Sequence, residues 1–91
     1  PRMAAAGMPV SLAVDGAASN EPGDFLSEAH AAWYVHRAAK GATGIEQGGA
    51  DAVTIDDVVH WGTMGGGRVL GLDVGELAVG KPADIAIYAL D

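Results

Sequence analysis

Between Pro9 and Asp15-Gly16 the chain carries one short apolar run, Val10-Ser11-Leu12-Ala13-Val14, with no neighbouring run to pair with. A run of this kind, bounded by turn residues, reads as a buried strand. No hairpin partner follows it. Residues 15–23, DGAASNEPG, are small, polar and turn-forming, and read as a loop. A helix-forming stretch comes next. Only at the far end do strand patterns return. Val74 to Pro82 reads as a short strand and a turn, and Asp84 to Leu90 alternates apolar and other residues with period two. The expected order is therefore strand, helix, helix, strand, strand. One strand and one helix make a single βα unit, and a parallel sheet needs several. The pattern is that of a part of a larger α/β structure.

Composition supports this reading. The 91 residues allow at most one small domain. Apolar residues make up 49%, but aromatic ones only 5%, and much of the apolar content is alanine, so a self-made core is thin. A domain of this size buries roughly 60–65% of its unfolded surface, the marginal end of the range. Five basic against twelve acidic residues give a net charge of −7. Such a balance lacks the electrostatic footprint for a nucleic-acid backbone and is repelled by an anionic membrane. The absence of cysteine excludes disulfides, thiolate metal sites and cysteine nucleophiles. No apolar stretch reaches the roughly 18 residues of a membrane span, and the first residues lack an apolar signal region. A cytoplasmic location is expected.

Two helices are expected. Asp24 can cap the first, which runs over 24–40 with Phe25, Leu26, Ala29, Ala32 and Trp33 at near-helical spacing. Glu28 near its start and Arg37 and Lys40 near its end suit the helix dipole, and Gly41 can stop it. Residues 41–53 read as a glycine-containing loop. Thr54-Ile55-Asp56-Asp57 then has the form of a capping box, with Asp in place of Glu. Ile55, Val58, Val59, Gly62, Gly66, Val69 and Leu70 share one face of the second helix, which Gly71 ends. Gly65-Gly66-Gly67 lies inside this helix. Each interior glycine costs roughly 0.5–1 kcal/mol against alanine, so close packing by another element is the expected compensation. A phosphate cradle is disfavoured, because the Lys-Ser/Thr of that motif is missing.

Asp15 is the leading candidate for chemistry. It stands at the C-terminal end of the expected buried strand, the edge where barrels and doubly wound sheets place their sites. On local evidence a turn aspartate is the competing reading, since Asp-Gly is a common turn pair. The histidines offer less. His30 and His36 are about 240° apart around one helix, so they cannot share a metal from one face, and His60 stands alone. All three read as structural. Trp33 and Tyr34 read as core or interface. Ser19 has no base beside it and is not supported as a nucleophile.

Three segments together resemble a known family. Residues 10–20, VSLAVDGAASN, resemble the end of the eighth barrel strand in the metal-dependent amidohydrolase superfamily, in its cytosine, guanine and triazine ring hydrolase branch. The continuation EPGDFLSEAHAAWYVHRA and the segment VVHWGTMGGGRVLGL at 58–72 resemble most closely the 8-oxoguanine deaminase group. VGELAVGKPADIAIYALD at 74–91 resembles the return into the superfamily's second, β-sandwich domain.

The resemblance implies a fold and a site. Residues 1–72 would be the C-terminal part of a (β/α)8 barrel, comprising strand 8, helix 8 and a following helix, and residues 73–91 would be strands of the small sandwich. Asp15 would be the strand-eight aspartate, which coordinates or adjoins a divalent metal (zinc, or iron as the alternative) and moves protons during catalysis. Ser19 and Asn20 would lie on the loop beside the pocket and contact substrate. The family's HxH pair, its further metal histidine and its acid–base Glu and His have no counterparts here. A catalytic zinc needs about three protein ligands plus water, so no metal is expected on this segment alone. The parent would hydrolyse an exocyclic C–N bond of a purine-like ring. Its partners would be a small heterocyclic substrate and either further copies or the remainder of the parent chain. The rival reading is a catalytically inert fragment or accessory domain, stabilised by self-association or by a complementary chain.

Overall fold

The computed structural model describes residues 2–16, 18, 23–38 and 53–89. Four helices form in chain order: α1 (Arg2–Ala5), α2 (Phe25–Ala38), α3 (Ile55–Gly62) and α4 (Met64–Leu70). Among the described residues α2 packs on α3, and α3 on α4.

The start of α2 follows its cap. The Asp24 carboxylate accepts from the backbone N–H of Leu26 at 3.2 Å and of Ser27 at 3.2 Å, and from the Ser27 hydroxyl at 2.7 Å. These bonds satisfy donors that the first turn leaves free. They favour the charged form, so the Ser27 hydroxyl, and then the Leu26 N–H, hold the Asp24 carboxyl below its usual range. The helix is described to Ala38; Lys40 and Gly41 lie outside the described residues.

The predicted capping box begins α3. The Thr54 hydroxyl oxygen accepts from the Asp57 N–H at 3.1 Å, and Asp57 Oδ2 accepts from the Thr54 N–H at 2.8 Å. The single helix expected beyond it is two. Thr63 adopts φ −118° and ψ −93°, outside the helical region, and separates α3 from α4. Its hydroxyl donates to the Val59 carbonyl at 2.8 Å, so the break is itself hydrogen-bonded. Gly71, at φ 70°, ends α4 in the left-handed conformation.

The core is small. Val53, Val58 and Trp61 are buried, with Ala4, Val10, Leu12, Ala29, Ala32 and Trp33 packed partly against them. The buried face of α3 therefore carries Val58 and Trp61. Of the residues expected to share the inner face, Ile55, Val59, Val69 and Leu70 are at least half exposed. The break at Thr63 explains part of this shift. A helical period counted through residue 63 does not continue in phase on its far side.

Val10–Val14, Val74–Val79 and Asp84–Ala89 do not form strands, and no strand is present among the described residues. Strand structure requires a partner that exchanges backbone hydrogen bonds. None of these three segments finds one in another described segment. Val74–Pro82 instead bends. Gly75 and Gly80 have φ 102° and 88°, and the Lys81 N–H donates to the Ala78 carbonyl at 3.1 Å. Lys81 Nζ closes this bend with ion pairs to Asp73 at 2.8 Å and Glu76 at 2.6 Å. Those two carboxylates, Asp73 first, hold the Lys81 ammonium above its usual pKa.

The Gly65–Gly67 run is helical and closely approached, though unevenly. A Cβ on Gly65 would press into the Val10 carbonyl, and one on Gly67 would come within 2.7 Å of the Val74 carbonyl oxygen. The middle glycine, Gly66, faces open space.

Candidate active site

Asp15 leaves the Val10–Val14 segment exposed to solvent. The segment itself is anchored on its inner side. Val10 and Leu12 pack against the core cluster, and Val14 is half-buried. Asp15 has φ 56° and is the non-glycine residue with positive φ among those described. That region is unfavourable for most L residues and is best tolerated by Asn and Asp. Gly16 beside it is exposed, and a Cβ there would meet nothing within 4 Å. The arrangement presents a carboxylate at the end of a half-anchored segment, with open space beside it. Ser19 and Asn20 lie outside the described residues.

The sequence also raised three histidines, and the structure separates them. His30 is exposed on α2, its ring centroid 6.2 Å from that of Trp33 and 6.0 Å from that of Tyr34. His36 is half-buried and faces α3. Its Nδ1 lies 2.6 Å from the Ala32 carbonyl oxygen, which can only accept, so Nδ1 carries the proton in that bond. Its ring meets Trp61 edge-on at 6.2 Å. His60 is exposed on α3. Trp33 is half-buried against the core and carries the Arg37 guanidinium 4.7 Å from its ring centre, whereas Tyr34 is exposed.

Among the described residues no group of three or more His, Asp or Glu side chains converges as a metal site. Asp15 is a single carboxylate, so these residues do not by themselves fit the ligand set of a divalent ion. Two open clefts lie elsewhere. One runs between Thr63 and the Val74–Leu77 bend, the other between Met8–Val10 and the His60, Trp61 and Arg68 side of α3 and α4. Asp15 lines neither.

The amidohydrolase family profile matches residues 1–91. The chain belongs to the amidohydrolase family. It is 55% identical over 97 aligned positions to an isoxanthopterin deaminase from an unknown prokaryotic organism, covering 98% of this chain and 20% of that protein. It is 42% identical to the 8-oxoguanine deaminase of Pseudomonas aeruginosa, covering 96% of this chain and 18% of that enzyme. It is 37% identical to a 5-methylthioadenosine/S-adenosylhomocysteine deaminase of Halobacterium salinarum, covering 98% of this chain and 19% of that enzyme. The chain thus spans about a fifth of the length of the curated relatives it matches. No solved structure matches it significantly. Amidohydrolases are built on a (β/α)8 barrel. No helix of the described residues is long and apolar enough to cross a membrane.

Proposed function

We propose that this chain is the closing part of a deaminase that hydrolyses an exocyclic amino group on a fused nitrogen heterocycle. In that reading residues 1–72 complete the barrel and 73–91 enter the β-sandwich. The observation that carries it is the similarity over nearly the whole chain to proteins named as deaminases, with the highest identity among those described to an isoxanthopterin deaminase. That order favours a pterin ring over 8-oxoguanine as substrate.

The reaction consumes one water. Its oxygen adds to the amino-bearing ring carbon, the C–NH2 bond breaks, and the products are a ring carbonyl and ammonia. A proton must leave the water and one must reach the amine. Asp15 is the proton-transferring group in this proposal: a carboxylate held at the end of a packed segment, solvent-accessible, beside glycine-sized space. Positioned acid–base groups contribute about 10²–10⁴-fold to such steps. Ser19 and Asn20 are assigned to substrate contact. The family is generally metal-dependent. One Asp cannot hold such an ion, so the remaining ligands belong to the rest of the enzyme.

A second reading rests on a different observation. The described residues bury three large apolar side chains and leave many exposed, among them Leu70, Leu77, Val79 and Ile87. Such a surface suits a segment that another chain or another copy covers. One experiment separates the two readings. The fifth of isoxanthopterin deaminase that this chain matches is replaced by the chain, and ammonia release from isoxanthopterin, 8-oxoguanine and guanine is measured. Turnover at a rate comparable to the unmodified relative supports the deaminase reading. A folded, metal-loaded exchange protein without turnover rejects it.

A further inference from the structure

Two glycines one turn apart carry contacts from both sides of the Asp15 stretch. Gly65 receives the Val10 carbonyl: a Cβ there would press into that oxygen and come within 3.4 Å of its carbon. Gly62 receives the Phe25 ring: a Cβ there would lie 2.6 Å from Cε1 and 3.2 Å from Cε2. Val10 stands five positions before Asp15. Phe25 directly follows Asp24, the residue that caps α2. Between the two glycines the helix breaks at Thr63, with the Thr63 hydroxyl bonded back to Val59 at 2.8 Å.

We propose that Gly62 and Gly65 form a seat on the α3–α4 corner that positions Asp15 for deamination. They are positioning residues and touch no substrate. The inference rests on the proposed deaminase function but adds residues that neither the motifs nor the relatives' names assign. Its physical basis is simple. Val10 by its backbone carbonyl and Phe25 by its ring tip both rest on the same helical corner, and both contacts occupy the place a side chain on Gly65 or Gly62 would take. Any side chain on Gly65 displaces Val10. Because Val10 and Leu12 pack on one core cluster, the displacement passes along the segment to Asp15. A misplacement of about 1 Å at a reacting group can cost about 10²-fold in rate.

The test uses the exchange protein described above with isoxanthopterin. Its variants are Gly65→Val, Gly62→Leu, the volume-exchanging pair Gly62→Leu with Phe25→Ala, and Asp56→Ala on the exposed side of α3 as control. Gly65→Val is expected to lower kcat/KM about 10²-fold and to move the acid limb of the pH–rate profile. It should also speed amide hydrogen exchange over residues 10–15. Gly62→Leu should lower kcat/KM about tenfold, and the pair should recover to within about threefold of the unsubstituted protein. Asp56→Ala should change none of these. A merely structural role would reduce the folded fraction and leave KM, the pH profile and the exchange pattern of folded molecules alone, and that result overturns the seat. So does Gly65→Val with unchanged kcat/KM, or failure of the pair to recover. A folded, metal-loaded but inactive unsubstituted exchange protein rejects the deaminase reading instead. The seat is then decided by hydrogen exchange alone, and unchanged exchange over residues 10–15 in Gly65→Val rejects it too.

Discussion

Thr54 and Asp57 exchange hydrogen bonds across the first turn of α3, the Thr54 N–H donating to Asp57 Oδ2 at 2.8 Å and the Asp57 N–H to Thr54 Oγ1 at 3.1 Å. The Thr54 hydroxyl adds a further bond to Asp57 Oδ2 at 2.9 Å. All the donors to the carboxylate favour its charged form. The Thr54 N–H is the leading cause that holds Asp57 below the usual carboxylate range. Because the folded pKa is depressed, the stabilisation is present above the unfolded pKa of about 3.9. It is lost as pH falls through the lower folded value. Thr54→Ala keeps that N–H but loses both bonds of the hydroxyl, one to the Asp57 N–H and one to its carboxylate, and should destabilise by about 1 kcal/mol at neutral pH. The deficit should shrink as the solution is acidified below pH of about 4. Denaturant unfolding across that range checks both the size and the sign.

Asp15→Asn separates backbone fit from chemistry. Asparagine tolerates the left-handed region as well as aspartate does, so the fold should be retained. The amide cannot accept the proton, and kcat/KM in the exchange protein should fall by at least about 10²-fold. Asp15→Ala should be no more active. It should also destabilise by about 1 kcal/mol, because alanine at φ 56° meets the steric penalty of the left-handed region. An Asp15→Asn protein within about tenfold of the unsubstituted rate, a barrier difference of only about 1.4 kcal/mol, would sink the catalytic assignment.

Gly75 and Gly80 make a matched comparison. Both have positive φ, 102° and 88°. A Cβ on Gly75 would lie 2.5 Å from the Met64 nitrogen and 2.6 Å from the Thr63 carbonyl carbon, whereas one on Gly80 would meet nothing within 4 Å. Gly80→Ala should cost only the backbone term, about 1–2 kcal/mol. Gly75→Ala should cost clearly more, since backbone must move as well. Thermal melts of the two variants side by side give the steric share by difference.

Lys81→Gln tests the ion pairs that close the 73–81 bend. The Lys81 pKa is raised by Asp73 and Glu76, so the contribution is present below the unfolded lysine pKa of about 10.4 and is lost as pH rises through the higher folded value. The pairs are surface-accessible, and such bridges contribute little and are screened by salt. The variant should differ from the parent slightly at low ionic strength and not at all in about 1 M salt, where the Debye length is about 3 Å. A difference that persists in high salt would show that packing of the lysine stem, not charge, holds the bend.

Local signals were the legible part of this fold. The Asp24 cap, the Thr54–Asp57 box and the Gly71 stop each act within a few residues, and each appears where the sequence places it. The face of α3 was read wrongly, since Val58 and Trp61 are buried where Ile55 and Val59 are exposed, and Thr63 then interrupts the helix and shifts the phase of α4 beyond it. Val53 shows another limit. It is the last residue of the 41–53 stretch read as loop, yet it is fully buried, since a single valine beside a helix start has no period to reveal it. The strand patterns at 10–14, 74–79 and 84–89 did not become strands among the described residues, because a period-two pattern names no partner to exchange backbone hydrogen bonds with. Asp15 could be singled out from its position after an apolar run. Its left-handed backbone could not, because aspartate adopts that conformation only as a minority state.

The bend locked by Lys81 stands immediately ahead of Asp84–Ala89, a stretch whose Ile85, Ile87 and Tyr88 are exposed and which has no strand partner among the described residues. Such a stretch is a template for unwanted intermolecular β-pairing. Lys81, Pro82 and Asp84 sit at its entrance, and charge and proline are the residues that interrupt cross-chain ladders. The same short segment therefore also acts as a gatekeeper. Removing its charge or its proline should be felt first as aggregation during expression, well before any loss of folded stability.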